Sequence, residues 1–168
     1  AQTEYGLTVA GVQVTSDNAA EIGSANDGYT MSYDDATKTL TISSMTTVNY
    51  TGNFIESSLS ELNVVISSVS AYSSASVPST VNLTDGKAFV TSTNANAVLN
   101  IKLAEQDDAT YFRSFKVTGT TSESDLFSGF SQVNFATGLT TEATSDGYVV
   151  GIVEYGGEYG ATEGADGK

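Results

Sequence analysis

The chain has 168 residues, twenty acidic and six basic side chains, a formal charge of -14, and no histidine, cysteine or tryptophan. These numbers exclude disulfides, thiolate metal sites and cysteine nucleophiles, and they remove the commonest general base and zinc ligand. The acidic balance excludes a nucleic-acid partner, whose phosphates need clustered Lys and Arg, and no stretch reaches the roughly 18 apolar residues of a spanning helix.

Gly6 to Thr15 alternates Leu7 and Val9, then Val12 and Val14, with polar or small neighbours. Gly11 divides the two runs as a turn or bulge does. Ser16 to Ile22 predicts one helical turn with Ser16 or Asp17 as its N-cap. Asn26-Asp27-Gly28 is a turn signal. Tyr29–Tyr33 and Thr39–Ile42 then read as a hairpin joined by Asp34–Lys38. Serine and threonine make up about a quarter of the chain, and with Val and Tyr they form a strand-building palette.

Beyond residue 45, short apolar runs recur between Ser, Thr, Asn, Asp and Gly. Strands are predicted at 54–55, 62–66, 81–83, 88–90, 98–103, 115–117, 133–135 and 148–153. Matching apolar positions fall at Leu40, Leu62, Leu83 and Leu99, and again at Ile101, Val117 and Val133. This is a loose ladder, as stacked coils or a sandwich would give. Ser- and Asn-rich corners, whose short side chains bond nearby backbone, place a parallel β-solenoid ahead of a β-sandwich. Residues 107–113 and 122–127 resist a strand reading. Ser122 to Asp125 matches the Ser-x-x-acid pattern that caps a helix.

The first 45 residues, through Tyr5-Gly6-Leu7-Thr8-Val9-Ala10-Gly11-Val12-Gln13-Val14-Thr15-Ser16 and Ser32-Tyr33-Asp34-Asp35-Ala36-Thr37-Lys38-Thr39-Leu40-Thr41, resemble a module of bacterial surface-exposed and secreted proteins. The resemblance implies a strand-and-hairpin start. It often leads into stacked strands of the right-handed β-helix or carbohydrate-domain-like kind, with 62–68 as the next rung. It implies no catalytic residue.

The composition supplies little for catalysis. Paired carboxylates suit a glycosidase, but twenty acids make some pair inevitable. A lyase needs a base and cations, and the chain has one arginine and five scattered lysines. No enzyme and no cofactor are expected, although calcium is possible. Its weak candidate ligands are Asp34, Asp35, Asp107 and Asp108, without the spacing of a known calcium loop. Glycosylation acceptors are formally present at Asn49 and Asn82. Tyr5, Tyr29, Tyr33, Tyr50, Tyr72 and Tyr111 are candidates for stacking on sugars or for cross-strand packing.

Tyr148, Val149, Val150, Ile152, Val153 and Tyr155 belong to the most apolar strand. Two readings stand for it: a strand donated to a neighbouring copy, or the last strand of its own sheet. The expectation is one all-β domain over 1–153, a hairpin module (1–45) and stacked strands (46–153), followed by an acidic Gly-rich tail over 154–168. The start at Ala1-Gln2 reads as a mature chain whose leader has been removed. The expected function is an extracellular or cell-surface structural subunit that forms filaments with copies of itself. The alternative is a surface adhesin or carbohydrate-binding module that takes surface glycans.

Overall fold

The computed structural model describes residues 2–66, 79–103, 114–136 and 139–152. Five strands and a single-turn 3-10 helix build the N-terminal part: β1 (Glu4–Val9), β2 (Val12–Thr15), β3 (Ile22–Ser24), the 3-10 turn Ala25–Asp27, β4 (Tyr29–Asp34) and β5 (Thr39–Met45). Seven follow in the middle: β6 (Thr47–Tyr50), β7 (Ile55–Ser57), β8 (Glu61–Ile66), β9 (Ser79–Leu83), β10 (Val90–Ser92), β11 (Val98–Leu103) and β12 (Ser114–Thr118). The last part holds α1 (Glu123–Leu126), β13 (Phe127–Ser128), β14 (Gln132–Phe135), β15 (Leu139–Ala143) and β16 (Gly147–Ile152).

The strands lie in three mixed sheets, in the orders β13-β10-β7-β1-β2, β14-β11-β8-β5-β4-β3 and β15-β16-β12-β9-β6. We call them sheets A, B and C. From β5 to β11 each strand pairs in parallel with the one three places later: β5 with β8, β8 with β11 and β11 with β14; β6 with β9 and β9 with β12; β7 with β10 and β10 with β13. The chain therefore visits B, C and A in turn and climbs one rung per circuit, which is the all-β, solenoid-like stacking expected. The rung is longer than the sequence ladder implied. Leu62 stacks on Leu99, and Leu99 on Val133, whereas Leu83 belongs to sheet C. Leu40 lies over Val64 rather than Leu62. Equal-looking leucines on different faces shortened the apparent period.

Alternation fixes the inside. In β8, Leu62, Val64 and Ile66 are buried while Glu61, Asn63 and Val65 face outward, the period of two that a one-sided strand demands. Along the stack the inward positions form columns: Ile55, Val90 and Phe127 in A; Leu40, Val64, Ile101 and Phe135 in B; Val48, Val81 and Val117 in C. An aromatic spine runs through them. Tyr29 meets Phe54 edge-on at 5.4 Å, Phe54 meets Phe89 at 5.7 Å, Phe89 meets Phe127 at 6.2 Å, and Phe127 meets Phe135 at 5.6 Å.

The corners follow the Ser/Asn rule. Ser57 Oγ accepts from the Leu59 amide and, one rung on, Ser92 Oγ accepts from the Asn94 amide. At the next equivalent corner Gly129 has φ +83, and a Cβ there would lie 2.1 Å from the Ser92 carbonyl oxygen. The side chain is absent because the backbone of the rung below occupies its place. Outside, asparagines stack in register. Asn134 donates to Asn100 (2.8 Å), Asn100 to Asn63 (2.9 Å), and Asn63 to the Thr37 carbonyl. A second ladder joins Thr118, Asn82 and Asn49.

Two local expectations need correction. Ser16 to Ile22 is a turn in which Thr15, rather than Ser16 or Asp17, plays the capping part. Thr15 Oγ1 accepts from the Asp17 amide, and the Ala19 amide donates to the Thr15 carbonyl. Ile22 leaves this turn because it is the first residue of β3 and pairs with Met31. Strand β10 begins at Val90 instead of Ala88, since Phe89 is spent on the spine and Ala88 on the corner. The Ser122 cap is as expected: its hydroxyl accepts from the Asp125 amide at 3.2 Å.

Candidate functional site

A parallel stack has two ends, and each exposes backbone edges and the tops of the inward columns unless something covers them. The N-terminal end is covered. Strands β1 and β2 form a hairpin whose turn residues, Ala10 and Gly11, have φ 48 and 80. Positive φ at both central positions suits the twist of a two-residue hairpin. Loop 16–21 then spans from sheet A to sheet B and packs Ala19 against the core. The first strand of sheet C, β6, is shielded by backbone. A Cβ on Gly28, at φ +89, would stand 2.2 Å from the Thr47 carbonyl oxygen, and one on Gly11 2.8 Å from the Tyr50 hydroxyl.

The C-terminal end is different. Its edge strands β13, β14 and β15 have a neighbour on one side only, as β2, β3 and β6 do at the other end, and the difference lies in what covers sheet B. The sheet B column runs Leu40, Val64, Ile101, Phe135, with exposures of 0%, 1%, 2% and 38%. Phe135 points inward like the three before it. Among the described residues no strand pairs beyond β14 to cover it. Val133, which continues the Leu62–Leu99 column, is only half-buried. Together with Phe127 and Phe130 these residues line a recess of about 490 Å³, rimmed by Glu123. Glu123 Oε2 accepts from the Thr141 hydroxyl at 2.5 Å and ties α1 to β15 beside the recess.

The predicted site residues fall as follows. Asp34 and Asp35 sit in the hairpin turn. Asp34 accepts from the Ala36 amide. Asp35 accepts from Lys38 Nζ at 2.8 Å and from the Tyr33 hydroxyl at 3.0 Å. The Lys38 contact, with the Tyr33 bond behind it, holds the Asp35 carboxyl below the ordinary value of 3.8. Burial first, and the Asp35 bond second, push the Tyr33 phenol upward. Asp107 and Asp108 lie outside the described residues. Among the described residues no three acidic side chains gather around a point where an ion would sit.

Asn49 and Asn82 are brought together: Asn82 Nδ2 donates to Asn49 Oδ1 at 3.0 Å. Tyr29 and Tyr33 are buried, and Tyr5 packs on Tyr33 with ring centroids 5.4 Å apart. Tyr29 and Tyr33 are thus in cross-strand packing; Tyr72 and Tyr111 lie outside the described residues. Tyr148, Val149, Val150 and Ile152 lie in β16, which pairs antiparallel with β12 on one side and β15 on the other. Of the two readings of that strand, the structure has the second, a strand of its own sheet. Val153 and Tyr155 are outside the described residues.

Sequence reasoning missed the end itself. Phe135 was legible as a strand residue, but its exposure depends on being in the last rung. The available signal was the polar, Gly-rich composition after residue 135, which offers no further inward column before Leu139.

Comparison with protein-family models, with curated proteins and with solved structures returns no match to this chain. What the fold and the site define is a class: an all-β protein of stacked parallel rungs, covered at its N-terminal end and, among the described residues, leaving Phe135 of its last sheet B strand exposed.

Proposed function

We propose that the chain is an extracellular or cell-surface structural subunit, and that it associates with copies of itself through its C-terminal end. The observation that supports this most is the uncovered core at Phe135, continuous with a buried spine and bordered by unpaired strand edges. An apolar recess at the end of a stack is most economically covered by another stack. The absence of histidine and cysteine suits a protein whose product is its own shape.

Repulsion sets the conditions. At a charge of -14, copies repel until salt screens them over about 8–10 Å. Sedimentation velocity across a concentration series, at low and at raised ionic strength, tests the reading. Mass should rise with concentration, more steeply at high salt, and Phe135→Asp should abolish the rise. A monomer under every condition would sink it.

A second reading has one observation behind it. The outer face of sheet B carries a groove of about 400 Å³ lined by Asn63, Asn100, Asn134, Lys102 and Phe135. A row of amides beside a lysine offers the donors and acceptors that bind a saccharide. A glycan panel tests it, with binding lost in Asn100→Ala.

A further inference from the structure

We infer that the partner at the open end is the same end of a second copy, so that assembly closes as a two-fold pair rather than growing as a filament. This rests on the assembly reading above and names its partner and symmetry.

The two ends are unequal in three respects. First, only one has an open core. The N-terminal columns finish in buried residues, Val14, Ile22, Tyr29 and Val48. At the C-terminal end the columns of sheets A and C also finish in buried residues, Phe127 and Leu139, but those of sheet B finish in Phe135 and Val133 over a recess. A head-to-tail contact would press the open recess onto a closed cap and leave most of its apolar lining without a complementary surface. An end-to-end contact sets one recess against its equal, and both linings are covered at once.

Second, one C-terminal edge strand lacks a guard, although Glu142 stands exposed on β15. The N-terminal edge strands β2 and β3 are flanked by exposed Asp17, Glu21 and Asp27, charges of the kind that keep edges from pairing. Strand β14 reads Gln132-Val133-Asn134-Phe135, with no charge, no proline and no bulge. A two-fold axis across β14 sets it antiparallel to its copy, the arrangement in which an edge strand pairs with itself.

Third, the charges do not favour head-to-tail joining. The described lysines, Lys38, Lys87, Lys102 and Lys116, belong to the hairpin, a corner and the middle rungs. Among the described residues neither end presents a lysine to meet the acids of the other. An unlike pair of surfaces gains no complementarity here, while a like pair gains the apolar contact.

One exposed side chain speaks for the other arrangement and supplies the control. Val12, on β2, is 47% exposed. If copies stack head to tail, Val12 lies in the contact; if they pair end to end, it stays in solvent.

The chain has no cysteine, so single thiols report symmetry directly. Gln132→Cys, treated with a short bis-maleimide at raised salt, should give one covalent species of twice the 17.4 kDa chain mass and nothing larger. Val12→Cys should stay monomeric under the same treatment. This probe leaves Phe135 and the core in place, so it reports even if Phe135→Asp fails to fold.

Covalent products found only in the double Val12→Cys/Gln132→Cys variant, as a ladder of sizes, would overturn the pair and leave the assembly reading standing. Full-length chain that is monomeric by sedimentation at every concentration and gives no cross-link would overturn both. A dimer that survives Phe135→Asp and does not cross-link through residue 132 would place the contact elsewhere, and the inference would fall with the proposed site.

Discussion

The two ends of the stack are made from the same materials and differ in what surmounts them. At the N-terminal end, Ile22 and Tyr29 lie under a hairpin and a loop, and both are buried. At the C-terminal end, Phe135 occupies the same kind of inward position and stands in a recess. The contrast teaches that inward register alone does not bury a residue in a solenoid. Burial on an edge strand needs a cover: Val14 and Ile22, on β2 and β3, are buried, while Phe135, on β14, is 38% exposed.

The sharpest way to break this comparison is to truncate an equivalent side chain at each end. Ile22→Ala should destabilise by about 2–5 kcal/mol, because it empties a filled site. Phe135→Ala in the monomer should cost under about 1.5 kcal/mol, since much of the ring is already in water. Equal losses in chemical denaturation would show that the recess is covered in the free chain.

Smaller effects sharpen the contrast at the backbone. Gly28→Ala forces a side chain into positive φ and against the Thr47 carbonyl, and should cost about 1–3 kcal/mol from conformation alone. Gly86 also has positive φ, yet a Cβ there meets nothing within 4 Å, so Gly86→Ala should lose less. Midpoints of thermal unfolding for the two variants give the difference.

Smaller again is the outer ladder. Asn100→Ala removes bonds to Asn63 and from Asn134. At about 0.5–1.5 kcal/mol for each net hydrogen bond, a loss of roughly 1–2 kcal/mol is expected. Hydrogen exchange should show it in β8, β11 and β14 and leave the N-terminal hairpin unchanged.

The smallest effect is acidic. Asp35 beside Lys38 and Asp146 beside Lys116 are held below the ordinary carboxylate value. A carboxyl whose folded value is depressed adds stability above its unfolded value and loses it as pH falls through the folded one. Both pairs are exposed, so only a shallow decline is expected, confined to pH below about 4. It should vanish in Lys38→Met/Lys116→Met.

Much of the architecture was legible in the residues. The alternation in 62–66 and 98–103 gave β8 and β11, and Asp34–Lys38 gave the hairpin connection. The three-residue β3, the two-residue β13 and the strands β6 and β15 escaped notice. They are short, and Thr47-Val48-Asn49-Tyr50 or Leu139-Thr140-Thr141 becomes a strand only because a partner already lies beside it. The candidate site was hidden for a related reason: exposure at Phe135 is a property of its place in the stack.

Strand β16 carries a mechanical consequence. It is the last strand of the described chain, yet it is threaded between β12 and β15 instead of lying at the rim. Stacked rungs ordinarily unzip from a terminus one at a time. Here a pull on the C-terminal side of β16 must shear two rows of hydrogen bonds together before β12 is freed. The end that leaves Phe135 exposed is thereby the end best clasped against tension.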